Sequence, residues 1–362
     1  MAARSGRQYP RTFGEFLNWF PDDPACALYL AELRWPEGFS CPRCGASTGE
    51  PTKAWSTSRG TYVCARCKKE TSLITGTIFE GTRVRLVTWF RAAWLVCSSK
   101  SGVSAKHLQR ELGISYPTAW LMLHKLRLAM KRPGRDADRL RGEIEVDESY
   151  LGGPTPGGKR GRGAEGKLIV AIAVERMEPT DDEQRLLGRA RIQVIPDVKA
   201  KTLLDFVEDT CEPGSIIRTD GLAGYRNLPS RGYEHHPLAV AKGNDPAHVS
   251  LPGVHRVASL LKRWLLGTHH GGWAAQHAEA YLDEFVFRFN RRGAGGKSGA
   301  RGLLFYRLLS NAVVMRKLDY ETLVLSRRGQ RGARRGPEPK PRRERAPRGR
   351  AAMKQGAKEM LL

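Results

Sequence analysis

A chain of 362 residues, 40% of them hydrophobic, is long enough for two or three domains with buried cores, and 61 Lys+Arg against 37 Asp+Glu leave it a net charge of +24. That balance points to a polyanionic partner, while the lack of any run of 18 apolar residues argues against a membrane span. The opening segment Met1–Arg7 leads into proline and charged residues rather than an apolar stretch, so no secretory signal is read there and the chain is expected in the cytoplasm, at the bacterial nucleoid.

Residues 10 to 35 space Phe13, Phe16, Leu17, Phe20, Leu28, Tyr29, Leu30 and Leu33 around a Pro21-Asp22-Asp23-Pro24 turn, which predicts one or two short helices. Residues 36 to 75 are short, Gly- and Cys-bearing and strand-like. Helices are expected over Val84–Cys97, Ser104–Leu112 and Tyr116–Met130, followed by an Arg-, Asp- and Gly-rich linker at 132–142. Strands return at Glu143–Tyr150, Leu168–Val174 and Arg189–Ile195, with Gly157–Lys167 as a basic hairpin loop. A helix at Ala200–Thr210, strands at Ser215–Thr219 and near Tyr233–Ala239, and long helices at Val254–Leu266 and Ala274–Asn290 complete an α/β sheet of mixed order. From Arg327 to Leu362 there are 13 Lys+Arg against 3 Glu, in a stretch too poor in apolar residues to fold, so 326–362 is expected as a disordered basic tail.

Cys41-Pro-Arg-Cys44 and Cys64-Ala-Arg-Cys67 are two CxxC knuckles separated by 19 residues. Four thiolates at that spacing suit tetrahedral zinc in a closed structural site. The metal would hold together a segment, 36–75, that is too small for a core of its own. Arg43, Arg66, Lys68 and Lys69 around the knuckles are placed to meet phosphates or to remain solvated charge. Cys26, Cys97 and Cys211 lie in apolar contexts and read as small core residues.

Ser104 begins a helix, Gly113 supplies a turn, and Ser115 with Pro117 begins another, so 76–135 reads as a helix-turn-helix region. Its second helix offers Tyr116, Thr118, His124, Lys125, Arg127 and Lys131 to a groove or to phosphates. An ordinary helical hairpin is the plainer alternative.

Asp147 and Asp220 each end a short β-branched or apolar run and are each followed by turn-forming residues. Phosphodiester cleavage and strand transfer need two hard cations a few ångströms apart, and such ions take carboxylate oxygens. Neighbouring strands can present both aspartates to a shared pair of ions. His255 follows Asp220 by 35 residues and Lys262 follows by seven more, two helical turns, so histidine and lysine share a helix face. No convincing Ser, Cys or Tyr nucleophile motif accompanies them.

These stretches carry a resemblance. Arg34–Gly45, Thr71–Phe79, Glu145–Gly153, Thr219–Tyr225, His255–Gly271 and Tyr281–Arg292 resemble the DDE-type insertion-sequence transposases with an N-terminal zinc ribbon, in the group where Asn or His replaces the third acid. The likeness runs from about residue 12 to about residue 313. It implies a ribonuclease-H-like α/β core over 140–313, preceded by a helical segment at 1–35, the ribbon and the helix-turn-helix. It also implies Mg²⁺ or Mn²⁺ and movement of a DNA element by its inverted ends. By the same resemblance Asp147 and Asp220 are metal ligands, His255 takes the third acid's slot and Lys262 is the associated lysine. Imidazole suits softer metals better than Mg²⁺, and the rivals for that slot are Glu284 and Asp283 on the next helix. The implied partners are double-stranded DNA, as inverted ends and as target, and a second copy of the chain in a homodimer or larger assembly. The alternatives are a zinc-ribbon and helix-turn-helix DNA-binding regulator, or a metal-dependent nuclease without strand transfer.

Overall fold

The structure, a computed structural model, describes residues 9–47, 61–131, 138–152, 167–177, 187–238, 251–270, 274–292, 296–315 and 323. The chain divides into Met1–Tyr320 and Glu321–Leu362, and every element below lies in the first part. The expected basic tail at 326–362 and, apart from Lys167, the Gly157–Lys167 loop fall outside the described residues.

Helix α1 (Phe13–Trp19) begins where the Thr12 hydroxyl accepts from the Glu15 N–H at 3.1 Å, and α2 (Asp23–Arg34) where Asp22 accepts from the Ala25 N–H at 2.9 Å. Strands β1 (Thr61–Val63) and β2 (Glu70–Ser72) flank the second cysteine knuckle and pair antiparallel, and helix α3 (Leu86–Ser98) follows. Ser104 caps α4 (Ala105–Leu112), Gly113 turns the chain at φ +63°, and Ser115 caps α5 (Tyr116–Met130). The left-handed Gly113 costs no Cβ clash, which is why a tight two-helix turn forms here.

The second half is a five-stranded sheet in the order β5 (Leu187–Ile195), β4 (Leu168–Arg176), β3 (Glu143–Leu151), β6 (Ile216–Thr219), β7 (Glu234–Pro237). β4 runs antiparallel to both of its neighbours, β5 and β3; β6 and β7 run parallel to β3. Helix α6 (Ala200–Thr210) crosses from β5 to β6, and α7 (Pro252–His269), α8 (Ala278–Phe289) and α9 (Gly296–Ala312) follow the sheet. This is the mixed α/β architecture of a ribonuclease-H-like core.

Alternation along β3 and β4 divides the sheet's two faces. Ile144, Val146, Ala171 and Ala173 pack with Leu203, Phe206 and Val207 of α6 and with Tyr225. Val170, Ile172 and Val174 pack on the other face with Val254, Val257 and Leu261 of α7 and Leu282 and Phe285 of α8. A third core lies among the N-terminal helices, where Phe16, Phe20, Phe90, Trp94 and Leu126 meet Phe305, Leu308 and Leu309 of α9. The last helix of the expected 140–313 segment therefore completes the N-terminal core rather than covering the sheet. Phe305 lies 5.6 Å from Phe16 and 5.7 Å from Trp94, ring centroid to ring centroid.

Helix α5 corrects the reading of a DNA-facing helix. His124, Lys125 and Arg127 are buried, at 1%, 5% and 2% exposure. The helix passes between α3, α4, α8 and α9, so most of its circumference is covered by protein. Only its first turn and its end remain open, with Tyr116 and Lys131 exposed and Thr118 hydrogen-bonded to Ser115 at 2.8 Å.

Candidate functional site

Strand β3 carries acids at alternate positions, Glu143, Glu145 and Asp147, and period-two geometry sends all three to one face. The first two are bound into the fold. Glu143 accepts from Arg218 and sits 3.5 Å from Arg176; the Arg218 hydrogen bond, more than the other charges, holds its carboxyl below the usual range. Glu145 is 1% exposed, and its Oε2 accepts from the Val254 N–H at 3.0 Å. Asp147, at the outer end, is only half-buried; its Oδ1 accepts from the Glu148 N–H at 2.8 Å and its Oδ2 lies 3.9 Å from His255 Nε2.

Asp220 reaches the same place from the adjoining strand. The parallel register pairs Glu143 with Ile216 and Glu145 with Arg218, so two residues further on Asp147 stands beside Asp220. Asp220 follows the last residue of β6, and the chain then turns through Gly221 at φ +79°, where the Leu222 N–H donates to Asp220 Oδ1 at 2.9 Å. Asp220 thus lies just past the carboxyl end of β6, where open α/β sheets place their ligands, and Asp147 stands beside it midway along the longer β3, with four strand residues after it.

Beneath them lies Tyr225, fully buried, whose hydroxyl donates to Glu148. Burial first, and then the negative charges of Glu148, Asp147 and Asp220, push its phenol well above the ordinary value. One hydroxyl therefore feels both aspartates.

His255 and Lys262 share one face of α7; the histidine is 34% exposed and the lysine is exposed. The structure thus puts His255 3.9 Å from Asp147 and, by the register of β3 and β6, Asp220 beside Asp147, with Lys262 two turns along the helix from His255. The three ligand atoms do not all come within 4.8 Å of one another; among the described residues only the four cysteines do. Two carboxylates, each with one oxygen steadied by a backbone N–H, plus a nearby imidazole, form a donor set that fits hard divalent ions spaced over several ångströms.

The rival acids have other neighbours. Glu284 is buried and paired with Arg127 at 2.8 Å. Asp283, crowded by burial and by Glu279, has its carboxyl pushed up to about 7.

The second centre is the ribbon. Cys41, Cys44, Cys64 and Cys67 bring their sulfurs within 4.8 Å of one another, with Cys41 3.6 Å from Cys67 and Cys44 3.7 Å from Cys64. Left-handed Gly45 and Lys68, at φ +66° and +57°, close the two knuckles. The N–H groups of Cys67 and Arg66 hold the Cys64 thiol below its ordinary value despite desolvation, which favours the thiolate that zinc requires. The S₄ set fits structural zinc. Arg43, Arg66, Lys68 and Lys69 are exposed around it. Cys26, Cys97 and Cys211 are buried in the cores, as the sequence suggested.

Two contributors were not singled out from sequence: Glu145 and Tyr225. Each lay inside a motif, Glu145 two residues before Asp147 and Tyr225 five after Asp220, and strand alternation alone put Glu145 on the face of Asp147.

The family model "ISXO2-like transposase domain" matches residues 139–290, and "Transposase zinc-ribbon domain" matches residues 21–70. A protein of Halobacterium salinarum, "Uncharacterized protein in transposable element ISH50", is 27% identical over 310 residues, 80% of this chain and 98% of its own. An "Uncharacterized transposase-like protein" of Haemophilus influenzae is 29% identical over 97 residues, 27% of this chain and 77% of its own. No solved structure matches. Two models from one kind of mobile element, in this order and over more than half of the residues, mean that the chain belongs to the DDE-type insertion-sequence transposases that carry an N-terminal zinc ribbon.

Proposed function

We propose that the protein binds the inverted ends of its insertion sequence, cleaves the phosphodiester there and joins the freed 3′-hydroxyl to target DNA. One observation carries the reading. Asp147, midway along β3, and Asp220, just past the end of the parallel strand β6, fall side by side when the strands' register is continued, with His255 3.9 Å from Asp147.

Mg²⁺ or Mn²⁺ bound here would supply activation of the attacking hydroxyl and neutralisation of the leaving oxygen. Asp147 and Asp220 would hold the ions, while the N–H groups of Glu148 and Leu222 keep each carboxylate oriented. His255 completes the set or holds a proton at Nε2 beside Asp147. Lys262 Nζ, exposed on the same helix face, meets a phosphate oxygen of the bound strand. Water attacks first and the freed 3′-hydroxyl second, so no side chain serves as nucleophile.

The ribbon and the helix-turn-helix, whose open surfaces include Arg43, Lys68, Tyr116 and Lys131, grip the duplex. Affinity falls steeply with salt, as for any contact that displaces counterions from DNA. Handling two ends requires a homodimer or larger assembly, and the work is done in the cytoplasm. A strand-transfer assay with end DNA in Mg²⁺ and in Mn²⁺ tests the reading, comparing the native chain with His255→Glu and His255→Ala. Joined products that His255→Ala loses support it. Cleavage without joining identifies a nuclease, and a fully active His255→Ala removes histidine from the site. A search of the flanking DNA for inverted repeats is the simplest companion test.

A further inference from the structure

We propose that Glu145 is a positioning residue: by capping the helix that carries His255, it sets the distance between that histidine and Asp147. The inference rests on the role given above to Asp147 and His255.

Helix α7 starts without a cap of its own. Its N-cap residue is Leu251, which offers no side-chain acceptor, and Pro252 follows. The first four N–H groups of a helix need outside partners. Glu145 supplies one from 109 residues away, its Oε2 accepting from Val254 N–H, the third residue of the helix. The carboxylate also faces the positive end of the helix dipole. Its other oxygen lies 3.7 Å from Arg176 Nε. A carboxylate 1% exposed is costly to bury and is kept in place by such partners.

The position of this joint matters more than its strength. Asp147 lies two residues from Glu145 on the same strand face, about 7 Å at the usual strand rise. His255 is the next residue after Val254. One strand-to-helix hydrogen bond therefore sits immediately beside both members of the 3.9 Å pair. The fit leaves no slack: a Cβ on Gly253 would lie 2.8 Å from Glu145 Oε2 and 2.8 Å from Leu187 Cδ2. Val254, Val257 and Leu261, buried below, set the rotation of the helix about its axis.

The test uses the full chain, its end DNA and a double-mutant cycle. Glu145→Ala is expected to slow single-turnover cleavage roughly 10- to 100-fold, the range a small misplacement costs, while end-DNA affinity changes less than about threefold. Glu145→Gln, which keeps an acceptor for Val254 N–H, recovers most of the rate. Glu145→Ala/His255→Ala is no slower than His255→Ala. In the metal-free protein, amide exchange across residues 252–257 rises in Glu145→Ala and not in His255→Ala. Should Glu145→Ala not fold, Gly253→Ala, which crowds the joint and leaves the acid, is expected to show the same loss of rate with binding kept.

Additive effects of Glu145 and His255, a parallel loss of DNA affinity and melting temperature, or a fully active Gly253→Ala would overturn the proposal while leaving the site reading intact. A fully active His255→Ala would overturn both.

Discussion

Arg127 Nε and Glu284 Oε2 lie 2.8 Å apart with both side chains 2% exposed, an ion pair sealed between α5 and α8. The guanidinium also stacks on Tyr281, 4.1 Å from the ring centre. It joins the helix-turn-helix to the helix that closes the sheet. Removing one member leaves an uncompensated buried charge, so Glu284→Ala is expected to cost about 3–5 kcal/mol. Replacing both, as Arg127→Met/Glu284→Leu, costs far less. Urea midpoints of the three variants check this. A Glu284→Ala variant of native stability, defective only in metal-dependent cleavage, would instead return Glu284 to the metal site.

Asp147→Asn and Asp220→Asn are each expected to reduce end cleavage by more than about 100-fold, since even partners one shell removed from a metal ligand are worth about 10–100-fold. Gel-shift affinity for end DNA without divalent ions stays near native. Loss of binding together with cleavage would show a folding defect rather than a missing ligand.

The ribbon makes a separate prediction. Chelation of zinc, or Cys64→Ser, is expected to unfold the ribbon, because the four thiolates cross-link a segment that buries few large side chains, Phe39, Tyr62 and Leu73 among them. The readout is loss of amide protection across residues 61–72 in chelator, restored by added Zn²⁺. Unchanged protection would mean that β1 and β2 stand without metal.

Acid should loosen the seam beside Arg127. His124 is brought to about 3 and His269 to about 4, in both cases by burial first and by the Arg127 charge second. Among the described residues, neither His124 ring nitrogen has a hydrogen-bond partner. Both folded values lie below the unfolded value near 6.5, so the unfolded chain takes up protons first as pH falls. Stability is full above about pH 6.5 and is lost from there down through the folded values, roughly 2 kcal/mol for each histidine at pH 5. Denaturation midpoints at pH 7.5 and 5 give the slope, which His124→Gln should flatten by about half.

How much of this was legible in the chain depended on distance along it. The zinc ligands were readable because their geometry is set by two four-residue knuckles. The tip of β6 was readable because its apolar run stops at Asp220 and Gly221, whereas Asp147, read as ending such a run, lies mid-strand in β3, which extends to Leu151, one residue beyond its expected end. Glu145 was not readable as a helix cap, since its partner is 109 residues away and nothing local marks the pair. The polar residues of α5 misled for a related reason. His124, Lys125 and Arg127 look like a solvent face; the arrival of α8, with Glu284, Tyr281 and nearby His277, gives His124 and Arg127 an interior environment, while Lys125 reaches the Glu80 carbonyl at 3.4 Å.

Phe305 of α9 fills the space among Phe16, Phe20, Phe90 and Trp94. A ribosome must therefore deliver more than three hundred residues before the earliest helices can close around their aromatic centre. Products of premature termination would emerge with that greasy socket unfilled, fit for proteolysis rather than for handling DNA.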